Sequence, residues 1–359
     1  MVGLLKGSRT KLIGLCGFAV LAFLSANVDP NTTIDYSNYQ TGYLSAPLGI
    51  PSVFEGGYTQ LGIEAYRLGL TYPEFRKIFT YIAFLILVVA IMRFTSNIAL
   101  VSSLFGSMLF FNLTTQIRNL MMIAFVLLGL SFLKNRTPMG VVLFISLDIV
   151  GSQIHTSGYF FLLILPFVLV PRHFLKRLVI VVSILTCVIG VLISVVGNHL
   201  FINLITPILG VVDRENLAWR ITNGYSRGTR ILVKLLIIVT GTVAAWIATS
   251  ISSRYKVSSM DENTQQKLSI LSIASLMSLL SIPLIFLAPD YSRIPRESVI
   301  FLILIVAIYF EKKDLFILDA KKYINCFFIL VPVFIYTHLT LWGNGLIDSI
   351  PYLAHWTFW

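Results

Sequence analysis

The chain has 359 residues, of which 57% are hydrophobic and only 12% charged, with a formal net charge of +11. Soluble domains carry roughly 25% charged residues, so this composition excludes a soluble enzyme and points to one polytopic transmembrane domain over 1–359. No stretch is long and polar enough for a separate soluble domain, and the basic excess reads as a membrane-orientation signal that calls for no nucleic-acid partner.

Apolar runs of about 13 to 20 residues recur from end to end. The opening "MVGLLKGSRTKLIGLCGFAVLAFLSANV" places basic residues before an apolar run, as a signal peptide would. With further spans behind it, it is expected to be a retained first helix. About eleven helices are expected, at 10–27, 77–93, 96–112, 117–133, 137–151, 157–171, 178–197, 231–250, 269–288, 298–310 and 323–341. Two larger outward-facing loops interrupt them. The first, 28–76, concentrates tyrosines with Asp29, Asp35, Glu55, Glu64 and Glu74, and its 58–72 stretch suits an amphipathic helix with Tyr58, Leu61, Ala65, Leu68 and Tyr72 on one face. The second, 198–230, pairs the apolar "FINLITPILGVV" with the basic "WRITNGYSRGTR". Cys16, Cys187 and Cys326 lie far apart in apolar runs, which suits packing and argues against a disulfide framework or a zinc site.

With the N-terminus cytoplasmic, the inner loops hold sixteen of the twenty-seven basic residues, among them Arg93, Lys134, Arg136, Lys267 and Lys312. Nine of those outside are arginines: Arg67, Arg76, Arg118, Arg214, Arg220, Arg227, Arg230, Arg293 and Arg296. Arginine's planar fork grips phosphate bidentately and stays charged. For Arg67, Arg76, Arg214 and Arg220, snorkelling to headgroups or pairing with acids is the plainer expectation.

Arg118 and the 293–296 pair differ by length. Fifteen residues separate Arg118 from Lys134, about 22 Å of helix against a hydrocarbon core of about 30 Å. "ESVIFLILIVAIYF" between Arg296 and Glu311 gives roughly 21 Å by the same rise. The short helices that meet at "GSQIHTSG" place His155 at a similar depth. A shared water-filled cavity open to the outside accounts for all three, and ionisable groups at such depth are functional candidates.

Nucleophile-elbow, zinc-hydrolase and phosphate-loop signatures are absent, as is any Asp-x-Asp pair or compact carboxylate cluster. No metal and no cofactor are therefore expected. Recessed arginines would neutralise a diphosphate leaving group, and a carboxylate or histidine would take a proton from an acceptor hydroxyl.

The order Asp35-Tyr36-x-x-Tyr39, Glu55-x-Gly57-Tyr58, Gln116-Ile117-Arg118 opening a helix and His155-Thr156-Ser157 opening another resembles the EpsG-like group of Wzy-type polysaccharide polymerases. The likeness spans roughly 30–170 and continues weakly to Arg293. There the family's arginine-aromatic helix start is replaced by "YSRIPRESVIF", so either Arg293 or Arg296 corresponds. The resemblance implies an all-α integral membrane glycosyltransferase of GT-C-like architecture. It would move a glycan chain from undecaprenyl diphosphate to the next lipid-linked repeat unit at the outer face of the cytoplasmic membrane, building capsule, exopolysaccharide or O-antigen. Its partners would be the lipid-linked oligosaccharides, membrane lipids, a chain-length regulator and a flippase.

On that reading Arg118 is a diphosphate ligand, against a structural pair with Asp35 or Glu55. Arg293 and Arg296 share the charge, and Arg227 and Arg230 hold the second lipid diphosphate. His155 is the base or a hydrogen-bond donor to phosphate; Glu55 is the rival base; Asp35 orients an arginine or the acceptor. Tyr36, Tyr39 and Tyr58 contact sugar or pack the loop. A glycan ligase using the same donor, and a flippase for the lipid-linked sugar, remain the alternatives.

Overall fold

The computed structural model describes residues 8–171, 174–196, 231–253, 261–287, 289–312 and 349–350, and every regular element among them is a helix. α1 (Ser8–Ala26) leads into two short helices, α2 (Tyr36–Ser45) and α3 (Gly56–Arg67), and then α4 (Tyr72–Met92). α5 (Ile98–Met108), α6 (Phe110–Thr115), α7 (Ile117–Leu133) and α8 (Pro138–Ile154) follow. A 3-10 helix, Thr156–Leu163, continues into α9 (Ile164–Val168), and α10 (Leu175–Val196) and α11 (Ile231–Ser252) come next. α12 (Glu262–Ser275), α13 (Met277–Leu280) and α14 (Ile282–Leu287) form one stepped run, and α15 (Arg293–Glu311) closes the described bundle.

Among the described residues two helices are long and apolar enough to cross a membrane, Tyr72–Met92 with 21 residues and Glu262–Phe286 with 25; seven apolar helices of 10–17 residues accompany them. α4 is apolar on both faces: Phe75, Phe79, Ala83, Leu87 and Ala90 are buried, while Ile78, Ile82, Leu85 and Val89 face outward. α10 repeats this with Val181, Ile184, Leu185, Val188 and Leu192 exposed. Apolar stripes of this extent suit lipid and are costly in water.

Antiparallel packing of α7 on α8 fixes the geometry that matters for function. Gly129 lies against the backbone of Phe144, and Gly151 against that of Met122, both at distances a side chain would obstruct. Small residues at such points let helix backbones approach. The two pairings share one register, which continued by about one turn sets Arg118 opposite His155.

The basic residues read as cytoplasmic anchors gather at one end of the bundle. Arg93 Nε donates to Ser131 Oγ at 2.6 Å, Lys134 Nζ to Asn263 Oδ1 at 3.1 Å and Arg136 Nη2 to Ser269 Oγ at 3.1 Å. At the same end the Glu311 carboxylate accepts from Thr95 Oγ1, Ser96 N and Ser96 Oγ, just ahead of α5. A negative charge there complements the positive end of that helix.

Several expected boundaries shift for local reasons. The expected 96–112 helix breaks at Leu109 and resumes as α6. The expected 298–310 helix begins five residues earlier, at Arg293, because Pro295 falls in its first turn, where no amide is needed. The 157–171 helix is a 3-10 segment followed by α9, which ends at Val168. The amphipathic 58–72 helix is corrected: α3 stops at Arg67, Gly69 adopts φ 81°, and the buried set is Tyr58, Gly62 and Ala65, with Leu61 and Leu68 exposed. The 323–341 helix and the 198–230 loop lie outside the described residues.

Candidate functional site

The stretch expected to be an outer loop is an aromatic-packed cap. α2 turns Tyr36, Tyr39 and Tyr43 inward, and α3 turns Tyr58 against them. Tyr39 packs on Phe54 and Tyr58, Tyr58 on Phe75 and Phe79, and Tyr36 edge-on to Tyr72. Tyr43 donates to the Leu70 carbonyl at 2.6 Å, closing the cap onto α4. Burial pushes the Tyr36 and Tyr58 phenols up, so both stay protonated at neutral pH. These rings are core, and Tyr36, Tyr39 and Tyr58 present no open face of the kind a sugar would stack on.

Glu55 occupies the extended position before α3 and spends its carboxylate elsewhere than on that helix. Its Oε2 pairs with Arg118 Nη1, and its Oε1 accepts from both the amide and the hydroxyl of Thr156 at 3.0 Å. One side chain thus ties the cap to the start of α7 and to the 3-10 helix after His155. The Arg118 guanidinium also lies 4.5 Å from the Phe54 ring centroid, 5.3 Å from Tyr39 and 5.6 Å from Tyr58, an aromatic enclosure suited to a cation. Arg118 Nε is buried and makes no hydrogen bond among the described residues. The arginine belongs to the first turn of a helix, whose amide end itself favours anions.

Gly57 holds this arrangement in place. A Cβ there would stand 2.7 Å from both the Cβ and the carbonyl oxygen of Gln153 on α8. Gly57→Ala is expected to push α3 off α8, cost roughly 1–3 kcal/mol, and lower the melting temperature in detergent while drawing Glu55 away from Arg118.

His155 sits between α8 and the 3-10 helix, in extended backbone. Its Nδ1 accepts from the Ser157 amide at 3.3 Å and lies 2.8 Å from Ser157 Oγ. An amide only donates, so Nδ1 is the acceptor and the neutral ring carries its proton on Nε2.

Arg76, read as a snorkelling residue, is instead 2% exposed. It donates to the Ser25 carbonyl at 2.7 Å and the Thr114 carbonyl at 2.9 Å, near the C-terminal ends of α1 and α6. Those are the negative ends of two helices, and carbonyls there lack helical partners. Arg296 Nη1 reaches Asn112 Oδ1 on α6 at 3.1 Å and Nη2 reaches Ser292 Oγ at 3.1 Å. Arg76 and Arg296 therefore both reach α6, and Arg118 stands just beyond it in the first turn of α7.

Among the described residues Asp35 is not brought to an arginine. It takes a left-handed backbone (φ 65°) and accepts from Asn38 at 3.3 Å. Arg293 and Arg296 flank Glu297, which is 2% exposed and whose carboxylate oxygens have no hydrogen-bond partner among the described residues. Asp148 on α8 is likewise buried without a partner there. Neither acid was singled out from sequence, although an acid inside an apolar run was the available signal. Arg227 and Arg230 lie outside the described residues.

Apolar outward stripes and a polar centre at one end, with only helices among the described residues, suit a membrane protein. The EpsG family model matches residues 11–353, and the chain belongs to the EpsG family. Members are glycosyltransferase-like polymerases, which gives the chain a general role in polysaccharide synthesis. No curated protein and no solved structure matches it.

Proposed function

We propose that the protein is a multi-pass Wzy-type polymerase of GT-C-like architecture that elongates a glycan on undecaprenyl diphosphate at the outer face of the cytoplasmic membrane. The observation that supports this most is that Arg76 and Arg296 both reach α6, directly ahead of Arg118 at the start of α7. Arg76 is spent on helix carbonyls, whereas Arg118 and Arg296 are the cations for the diphosphates. Their charge serves in place of a metal ion.

In the reaction, the acceptor sugar's hydroxyl oxygen bonds to the anomeric carbon of the donor chain. The bond from that carbon to phosphate breaks, and its electron pair leaves with undecaprenyl diphosphate. The hydroxyl proton goes to the Glu55 carboxylate. His155 Nε2–H donates to a phosphate oxygen, and Thr156 keeps Glu55 aimed.

Each linkage formed should release one polyprenyl diphosphate. With lipid-linked repeat units in vesicles, chromatographic quantitation should find release and linkage equal. Arg296→Ala should reduce the rate by roughly 10²-fold, the scale for losing one donor to developing charge. Linkage without release of the lipid diphosphate would refute the proposal, and so would an Arg296→Ala rate equal to wild type.

A further inference from the structure

We infer that Glu55 is a substrate-displaced latch on Arg118, holding the guanidinium at the place a lipid diphosphate takes. The inference rests on the polymerase reading above and adds the order of events at its site. As the structure stands, Arg118 is neutralised by Glu55 and the same carboxylate is held by Thr156, so neither the phosphate ligand nor the base is available. A purely structural ion pair would use the guanidinium more fully. Here Glu55 engages Nη1 alone, the Tyr39 hydroxyl is the other side-chain hydrogen-bonding neighbour, and buried Nε makes no hydrogen bond among the described residues.

A diphosphate has several oxygens and more than one negative charge. It can take Nη1 and Nε together in the forked geometry arginine favours, and it meets the amide end of α7 as well. Phe54, Tyr39 and Tyr58 hold the guanidinium plane while the partner changes. Glu55 does not leave the site on release. Its Oε1 keeps the Thr156 amide and hydroxyl, and Oε2, now without its counter-charge, is the atom that receives the acceptor proton. Donor binding thereby switches on the base, and without lipid diphosphate at Arg118 the base stays quenched.

The test is binding of inorganic diphosphate and of farnesyl diphosphate to the full-length protein by calorimetry. Glu55→Gln keeps the shape and an acceptor for Thr156 but removes the competing charge. It should bind both probes at least tenfold more tightly than wild type while forming no polymer. Thr156→Val loosens Glu55 without discharging it and should tighten binding by less. If Glu55→Gln fails to fold, Phe54→Trp puts a fluorophore over the guanidinium with Glu55 intact, and its emission should shift as diphosphate saturates. Unchanged or weaker binding by folded Glu55→Gln would overturn the latch, as would bound diphosphate with no change in Trp emission. If wild type forms polymer in either case, the polymerase reading survives. No polymer and no diphosphate binding by intact wild type would remove that reading itself.

Discussion

Arg118→Ala is expected to abolish polymer and to destabilise the protein by roughly 3–5 kcal/mol, the usual cost of removing one partner from a buried ion pair. Glu55 would be left charged, with its side chain only 10% exposed. A loss of activity alone would thus be ambiguous between a binding role and a folding role. The pair Glu55→Gln and Arg118→Gln separates them. In the double variant no charge is stranded, so much of the stability should return, with a coupling energy well above 0.5 kcal/mol. Polymer should not return, since neither the phosphate ligand nor the proton acceptor is restored. Arg118→Lys should fold yet remain impaired, because an ammonium cannot present a planar fork. Melting in detergent and product analysis on the five variants decide the matter; recovery of polymer in the double variant would make the pair structural only.

Arg76→Met should be nearly as damaging, for a different reason. It preserves length and apolar contact but strands the carbonyls of Ser25 and Thr114, each worth roughly 1–3 kcal/mol when left unsatisfied. Arg76→Lys should recover less than half of that loss, since one ammonium cannot span two helix ends as the fork does. Because Asn112 is on the helix that Arg76 caps, Arg296 should lose its partner too, and activity should fall with stability. An Arg76→Met protein that melts like wild type would show that the two carbonyls find other partners.

The parts of the site that sequence made legible are those with local pattern. Gln116-Ile117-Arg118 opens α7 where expected, and His155-Thr156 follows α8 directly, because short apolar runs between polar residues define helix ends without tertiary help. Helix lengths suggested one shared cavity for Arg118, His155 and the 293–296 pair; Glu55, which links Arg118 to Thr156, was weighed only as a base or a structural mate. The break at Leu109 was hidden because "FGSMLFFNLTTQ" holds no proline; it is accompanied by Arg76 from another helix capping α6. The same tertiary contact explains why Arg76 does not snorkel. The tyrosines suited a sugar face or a packed one, and only the mutual contacts of α2, α3 and α4 decide for packing. Glu297 and Asp148 belong to no ordered motif, so burial alone brings them into view.

The central claim is polymerisation of a lipid-diphosphate-linked repeat by this chain alone. Purified wild-type protein in lipid vesicles, given that repeat unit drawn from the same cell's glycan pathway, should produce a ladder of products spaced by one unit on electrophoresis, and Arg118→Ala should leave only the starting unit. With intact protein and verified substrate, a single transfer product, or substrate moved across the bilayer without any ladder, would contradict it.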